Sequence, residues 1–466
     1  MNARTACHLT AVRRAMLPGA LAALALLLLA ATVQPAAAAS PGEVAWARIV
    51  PGVATAGVDR VIDVAPGPGG TIYLLGVYNE PSFTGWTWVA RYAADGRKLW
   101  VKKYGEAQGI DANCWAMAVD RAGNLVVAGS RRPLASADAD MLVLKYTPGG
   151  RLVWARSYAG PGADVDVATS VCTDAAGNVY AGGFATQAGG TYSAFAVVRW
   201  SAGGHRDWVT TVESLTPGPG DGATSMVIDG QGATYLTGHV QDSPTTTACL
   251  TAKVSATGAV LWKQIFAPGA VDNEGACIGR RGSIVYVAGR ASNDGAASTA
   301  FLATYAAGTG SLSTVSWSAF MQDMYDPLAL TVGADGSAWV TSNSAGAGGF
   351  SHAALEKFAA DPSLSWSWSD PDPTVHSLFY DVVVDGMGRA WAVGLKMDTT
   401  TLDNNVYAAA FSPGGAEQWN TLWRRPTGDS AAALCACLLG SGGVAAGGWA
   451  NGPVTARDPL LLRIER

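Results

Sequence analysis

Charge is scarce in this 466-residue chain: only 14% of it is Asp, Glu, Lys or Arg, with 31 basic side chains against 36 acidic ones. Three of the basic residues, Arg4, Arg13 and Arg14, fall in the first 39 positions, where no acid occurs, so the remainder holds 28 against 36. Nucleic-acid binding needs a basic footprint, and that class is disfavoured. Histidine is rarer still. His205, His239, His352 and His376 show no metal-ligand spacing. No Cys-x-x-Cys pair, Gly-x-Ser-x-Gly elbow, phosphate loop or EF-hand loop occurs, so the common signatures of zinc, thiol-redox, hydrolase and nucleotide chemistry are missing. Long helical periodicity is missing too. The apolar run 20–33 has 14 residues, short of the ~20 that span a bilayer.

What is present at the N-terminus is that run, preceded by arginines and followed by Ala37-Ala38-Ala39 before Ser40. Residues 1–39 are expected to be a signal peptide, removed on export to the periplasm, cell surface or medium. Arg13-Arg14 invites a twin-arginine reading, but Val12 stands where Ser or Thr belongs and the Leu-rich core suits the general route. Residues 40–466 then form a single domain with no transmembrane segment. Six cysteines survive cleavage: Cys114, Cys172, Cys249, Cys277, Cys435 and Cys437. Five lie inside apolar strand-like segments and Cys249 starts another, so buried free thiols are expected.

Glycine (57) and tryptophan (17) are abundant, and they recur with a period. DRAGNLVVAG (120–129), DAAGNVYAGG (174–183), DGQGATYLTG (229–238) and DGMGRAWAVG (385–394) each read as a tight turn entering a strand that closes on glycine. Equivalent positions are Gly76, Gly129, Gly183, Gly238, Gly289, Ser342, Gly394 and Gly447, which makes eight units. A second apolar strand ends in a basic-aromatic step, as in Arg91-Tyr92, Lys145-Tyr146 and Lys357-Phe358; Thr304-Tyr305 and Ala410-Phe411 lack the charge. Eight residues on come Trp100, Trp154, Trp208, Trp262, Trp366 and Trp419, whereas Trp317 follows by twelve. This Trp column is expected to fill the wedge between neighbouring units.

The last unit stops at Arg463-Ile464 without its Trp strand, while EVAWARIV (43–50) stands alone at the other end. The pattern predicts an all-β, eight-bladed β-propeller of four-stranded antiparallel blades, with the N-terminal strand closing the last blade. A linear solenoid would leave that strand unpaired and would need polar caps.

DAAGNVYAGG and DMLVLKYTPGGRLVW (140–154) resemble the bacterial β-propeller repeat called SBBP, and the resemblance covers the whole of 40–466. That family's name implies seven blades; the units here number eight. Asp140 and Asp458 match its second Asp, whereas Trp86, Ala194, Ala248, Thr299, His352 and Asn405 replace it elsewhere. SATGAVLW (255–262) is similar to the turn-Gly-x-x-Trp motif of eight-bladed quinoprotein propellers. That resemblance implies pyrroloquinoline quinone over calcium, held by acidic and amide side chains; this chain lacks the adjacent cysteine pair and a clear ligand cluster.

Loops between second and third strands, and links between blades, are long and should share one face. Candidate ligand-binding residues at the channel mouth on that face are Asp59, Asp111, Asp166, Asp221, Asp272, Asp326 and Asp429, able in principle to hold calcium or a basic group. The simpler reading is that each accepts backbone N–H groups in its own turn. Asp63 and Asp381 share a register and form a conceivable acid/base pair; Phe83, Trp86, Tyr192, Phe350 and Trp449 are candidate sugar-stacking aromatics. The expected function is a noncatalytic, monomeric binding scaffold for a protein, peptide or glycan, without a cofactor. The alternative is an enzyme at the channel mouth, either a quinone-dependent dehydrogenase or a polysaccharide hydrolase or lyase.

Overall fold

A computed structural model describes residues 40–465, apart from residues 51–57, 80–84, 135, 191, 215–217, 219, 270, 294–296, 324–327, 346–349, 428, 441 and 452–456, and apart from the side chains of 79, 297, 321–323 and 345. The described residues form strands and two single-turn 3-10 segments, Pro68–Gly70 and Glu106–Gln108. No helix among them is long and apolar enough to cross a membrane.

Seven of the repeat units each fold into four antiparallel strands in chain order. The first comprises Val58–Pro66, Ile72–Asn79, Gly85–Tyr92 and Lys98–Tyr104; six more occupy 110–158, 167–212, 222–266, 272–323, 330–369 and 377–423. The remaining strands are Ala431–Leu438, Val444–Asn451 and Arg457–Ile464, and Val44–Ile49 pairs antiparallel with the last of these. Val44 stands opposite Ile464, and Ile49 opposite Leu460. A single parallel bridge, Val58 to Arg457, links this sheet to the first. The first strand of each sheet packs against the first strand of the next, and Ala431–Leu438 packs against Val58–Pro66. This is the architecture of a β-propeller.

Apolar cores lie between sheets, so each sheet buries its faces against its neighbours. One core joins Val126, Val143 and Trp154 to Val171, Val179 and Val198 of the following sheet. Another joins Val50, Cys435 and Leu461 to Val61 and Leu74, uniting the two ends of the chain.

The closing glycines have a backbone cause. In seven sheets the first strand carries a β-bulge, as between Cys114 and Ala116 or Phe379 and Asp381, opposite the glycine. In six of them the bulge drives a main-chain carbonyl against the opposite Cα: a Cβ on Gly129 would stand 1.9 Å from Asn113 O, and one on Gly394 would stand 1.8 Å from Leu378 O, whereas at Gly76 the Trp88 ring fills the space, 2.0 Å from where a Cβ would stand. Only glycine fits. In the last sheet Gly448 meets Ala432 O and pairs with Ala433 at the bulge, which moves the equivalent position one residue beyond the Gly447 chosen from sequence.

The Trp column marks the seams. Trp100 Nε1 donates to Pro148 O of the next sheet at 2.9 Å, Trp154 to Ala202 O at 3.1 Å and Trp208 to Ala256 O at 3.1 Å. Each ring lies against a turn glycine at positive φ: Gly150, Gly204 and Gly258 respectively. The basic residue of the basic-aromatic step reaches the same turns, with Arg91 Nη1 to Pro148 O at 2.8 Å and Lys357 Nζ to Pro413 O at 2.9 Å. The seam made by the terminal strand repeats this chemistry. Trp46 Nε1 and Arg463 Nη1 both donate to Ala94 O, at 3.0 and 2.9 Å, and Trp46 lies under Gly96. On the other side Trp419 packs under Gly42, so the N-terminal segment supplies a turn glycine as well as a strand.

Trp317 departs from the expectation that every column Trp fills a wedge, for it is 44% exposed. The facing turn offers Pro362 where the other seams have glycine, and Ser316 Oγ donates to Pro362 O instead. The extra residues form an irregularity between Trp317 and Met321, whose Ala319 amide is taken by buried Glu356 Oε1 at 2.7 Å.

Candidate functional site

Six of the seven candidate aspartates stand at or just before the starts of first strands, where links between sheets, second-strand ends and third-strand starts converge. Asp111 Oδ1 accepts the Gly85 amide of the preceding sheet at 2.9 Å and Asn113 Nδ2 at 2.6 Å, while Oδ2 takes Arg132 at 2.7 Å. Asp166 accepts the amides of Gly160 at 2.5 Å and Thr186 at 2.8 Å. Asp221 accepts the Gln241 amide at 2.6 Å and Ser214 Oγ at 3.0 Å. These three are buried and act as staples, satisfying main-chain donors that the sheets leave unpaired.

The other four differ. Asp59 is buried; Asp272 and Asp429 take hydroxyls of Thr247 at 3.4 Å and Thr427 at 2.6 Å; Asp326 lies outside the described residues. In the fifth sheet the staple is Asn273, which accepts the Gly269 amide at 2.7 Å and donates to Thr247 O at 2.7 Å. Ser377 and Ser430 do the same work by accepting the Ala353 and Asn404 amides. An acid-only search misses these residues because any short acceptor serves the joint. Among the described residues no group of three or more His, Cys, Asp or Glu is gathered so as to hold a metal ion.

Burial pushes the Asp166 carboxyl up to about 6, against the lowering effect of its two amide donors, with Asp140 and Asp164 adding repulsion. Asp221 is raised for the same leading reason, burial. Asp63 and Asp381 are each turned onto a main-chain amide, of Val64 at 2.8 Å and Val382 at 2.9 Å, and Asp381 also takes the Ala436 amide at 2.8 Å. They occupy the first and seventh sheets. Asp140 lies 4.0 Å from Arg131, and Asp458 3.4 Å from Arg425.

The described aromatic candidates take different surroundings. Trp86 stacks on Tyr78 at 5.2 Å, Trp449 is buried in the last sheet, Tyr192 and Phe350 are half-buried elsewhere, and Phe83 lies outside the described residues. The six cysteines form no disulfide and are buried. Burial pushes the Cys114 and Cys277 thiols up to about 12 and Cys249 up to about 11.

Two arginines that sequence reasoning passed over meet at the junction of the chain ends. Arg457 starts the third strand of the last sheet, and its guanidinium carbon lies 4.0 Å from the Trp449 ring centroid. Arg60 lies two residues past Val58, the bridge partner of Arg457. Its Nε is buried without a hydrogen-bond partner. Burial, with Arg457 second, holds the Arg60 guanidinium below its ordinary value. The available signal was two arginines at strand starts facing a closing seam, which no unit-by-unit alignment brings together.

No family model matches the chain, and no curated protein matches it. Among solved structures it is similar to quinohemoprotein alcohol dehydrogenase from Comamonas testosteroni, at 10% identity and TM-score 0.49, covering 91% of this chain and 76% of that one. It is also similar to a protein of unknown function from Dyadobacter fermentans, at 13% identity and TM-score 0.40, covering 75% and 93%, and to a eukaryotic initiation factor, at 10% and 0.38, covering 78% and 88%. None of these likenesses carries an argument about chemistry.

Proposed function

We propose that this protein is an exported, noncatalytic β-propeller of eight blades, closed by its N-terminal strand, which binds a protein, peptide or glycan on its long-loop face. One observation carries the reading: the polar residues that recur from unit to unit are spent on joints. Asp111, Asp166 and Asp221 take main-chain amides, and Arg91, Lys357 and Arg463 take turn carbonyls of the next sheet. Their repetition builds a rigid frame, which leaves recognition to the non-repeating loops. The eight-blade count is supported by seven four-stranded sets plus the terminal one, and by first-strand neighbours that return from the last set to the first. The reading assigns no cofactor and a monomeric state.

Affinity capture tests it, with purified residues 40–466 presented to the cell envelope and medium of the source cells and to a glycan panel. Stoichiometric retention of one protein, peptide or glycan without turnover is the expected result. Turnover of a polysaccharide, or quinone-dependent dye reduction, with nothing retained would overturn it in favour of an enzyme.

A further inference from the structure

The arginine pair deepens that reading and rests on it for the choice of face. Strand geometry places the two side chains together. Val58 and Arg60 alternate onto one side of their strand, and the parallel bridge sets Arg457 beside Val58. Val58 is 41% exposed, so this side opens to solvent. Asp59 and Asp458, the chain neighbours, fall on the opposite sides by the same alternation, and Asp458 lies 3.4 Å from Arg425. The flanking segments 51–57 and 452–456 contain no Asp or Glu. No hydrogen bond or ion pair joins Arg60 to any described residue, and Arg457 is fixed by the Trp449 ring instead of by a carboxylate. A half-buried guanidinium with an orphaned Nε donor, next to a second guanidinium, lacks its anion.

The geometry points to an oxyanion-binding subsite at Arg60 and Arg457, taking a carboxylate, sulfate or phosphate group of the ligand on the long-loop face. Guanidinium forks suit planar and tetrahedral oxyanions through paired N–H donors. The stacked Trp449 ring holds one fork in place before the ligand arrives, which lowers the ordering cost of binding. The chain is acidic overall, so the site recognises one charged group and does not attract a polyanion along its length.

Thermal melts of residues 40–466 at constant ionic strength test it, with sodium chloride as reference and sodium sulfate, phosphate, acetate or glucuronate as probes. A rise of about 1.5 °C at tenfold excess over Kd, growing with the logarithm of concentration, is expected with at least one oxyanion. The carboxylate and tetrahedral arms separate the two chemical sources. Arg60→Gln should abolish the rise while melting in chloride at or above wild type, since it removes an unpaired charge. Arg457→Gln should abolish the rise too. A rise with no oxyanion, an equal rise in both variants, or a fall in the chloride melt of Arg60→Gln would overturn the assignment. Partner capture failing while the oxyanion shift holds would instead sink only the identity of the larger ligand.

Discussion

Replacing Trp46 with alanine probes the seam on which the ring depends. The indole is half-buried between the terminal strand and the first sheet, packed under Gly96 and bonded to Ala94 O. Trp side chains bury 150–250 Å² when enclosed; taking roughly 100 Å² here at ~25 cal/mol per Å² gives about 2.5 kcal/mol. The Nε1 hydrogen bond adds about 1 kcal/mol, and the Arg48 guanidinium, 5.4 Å from the ring centroid, adds about 0.5 kcal/mol. The sum, about 4 kcal/mol, corresponds to a fall of roughly 4–5 °C in the melt of a domain this large. Gly96→Ala provides the second arm. Its Cβ would stand 2.8 Å from Trp46 Cδ2 at φ +79, so it costs both left-handed strain, about 1–2 kcal/mol, and a ring clash. In the Trp46→Ala background the clash disappears, and the double variant should be more stable than the sum of the singles predicts. Trp317→Ala, at a seam without a turn glycine, is the control and should move the melt by no more than about 2 °C. If Trp46→Ala shifts it no further than that control, or if the two seam substitutions are additive, the terminal strand does not hold the ring.

Three further outcomes follow from buried groups. Gly129→Ala forces a Cβ to within 1.9 Å of a main-chain oxygen, with no flexible side chain to yield; it should cost at least about 3 kcal/mol, read as lost soluble yield or a lowered urea midpoint. The Asp166 carboxyl is raised from 3.8 to about 6, so its stabilising contribution is complete below pH ~4 and is lost as pH rises through ~6. Asp166→Asn should therefore flatten the melt-versus-pH curve in that window, and an unchanged slope would count against the burial argument. Aromatic disulfide reagent at pH 8 should leave the six thiols untouched in the folded protein and titrate all of them in denaturant, because burial suppresses the thiolate. Fast labelling of native protein would refute it.

The blade pattern was legible because it is local and repeated: a turn, a closing glycine and a Trp at fixed spacing state the same strand geometry many times over. Even the pairing of EVAWARIV with the C-terminal strand could be read, since one unit lacked what the other end held. The fate of Trp317 could not, because it depends on a glycine missing from a turn in the next sheet. The aspartates were visible as a recurring residue type, but not their partners. Whether a carboxylate binds a ligand or staples a strand depends on which amides the fold brings to it, and at Asp111 one of those amides belongs to another sheet.

Local periodicity therefore determined the strands, their order and the residues that join neighbours, since each of these is decided within about one repeat of chain. Tertiary structure alone decided which polar groups are consumed and which are left over. Arg60 and Arg457 come from opposite ends of the chain, and only the tertiary pairing of Val58 with Arg457 brings the two positive charges near each other.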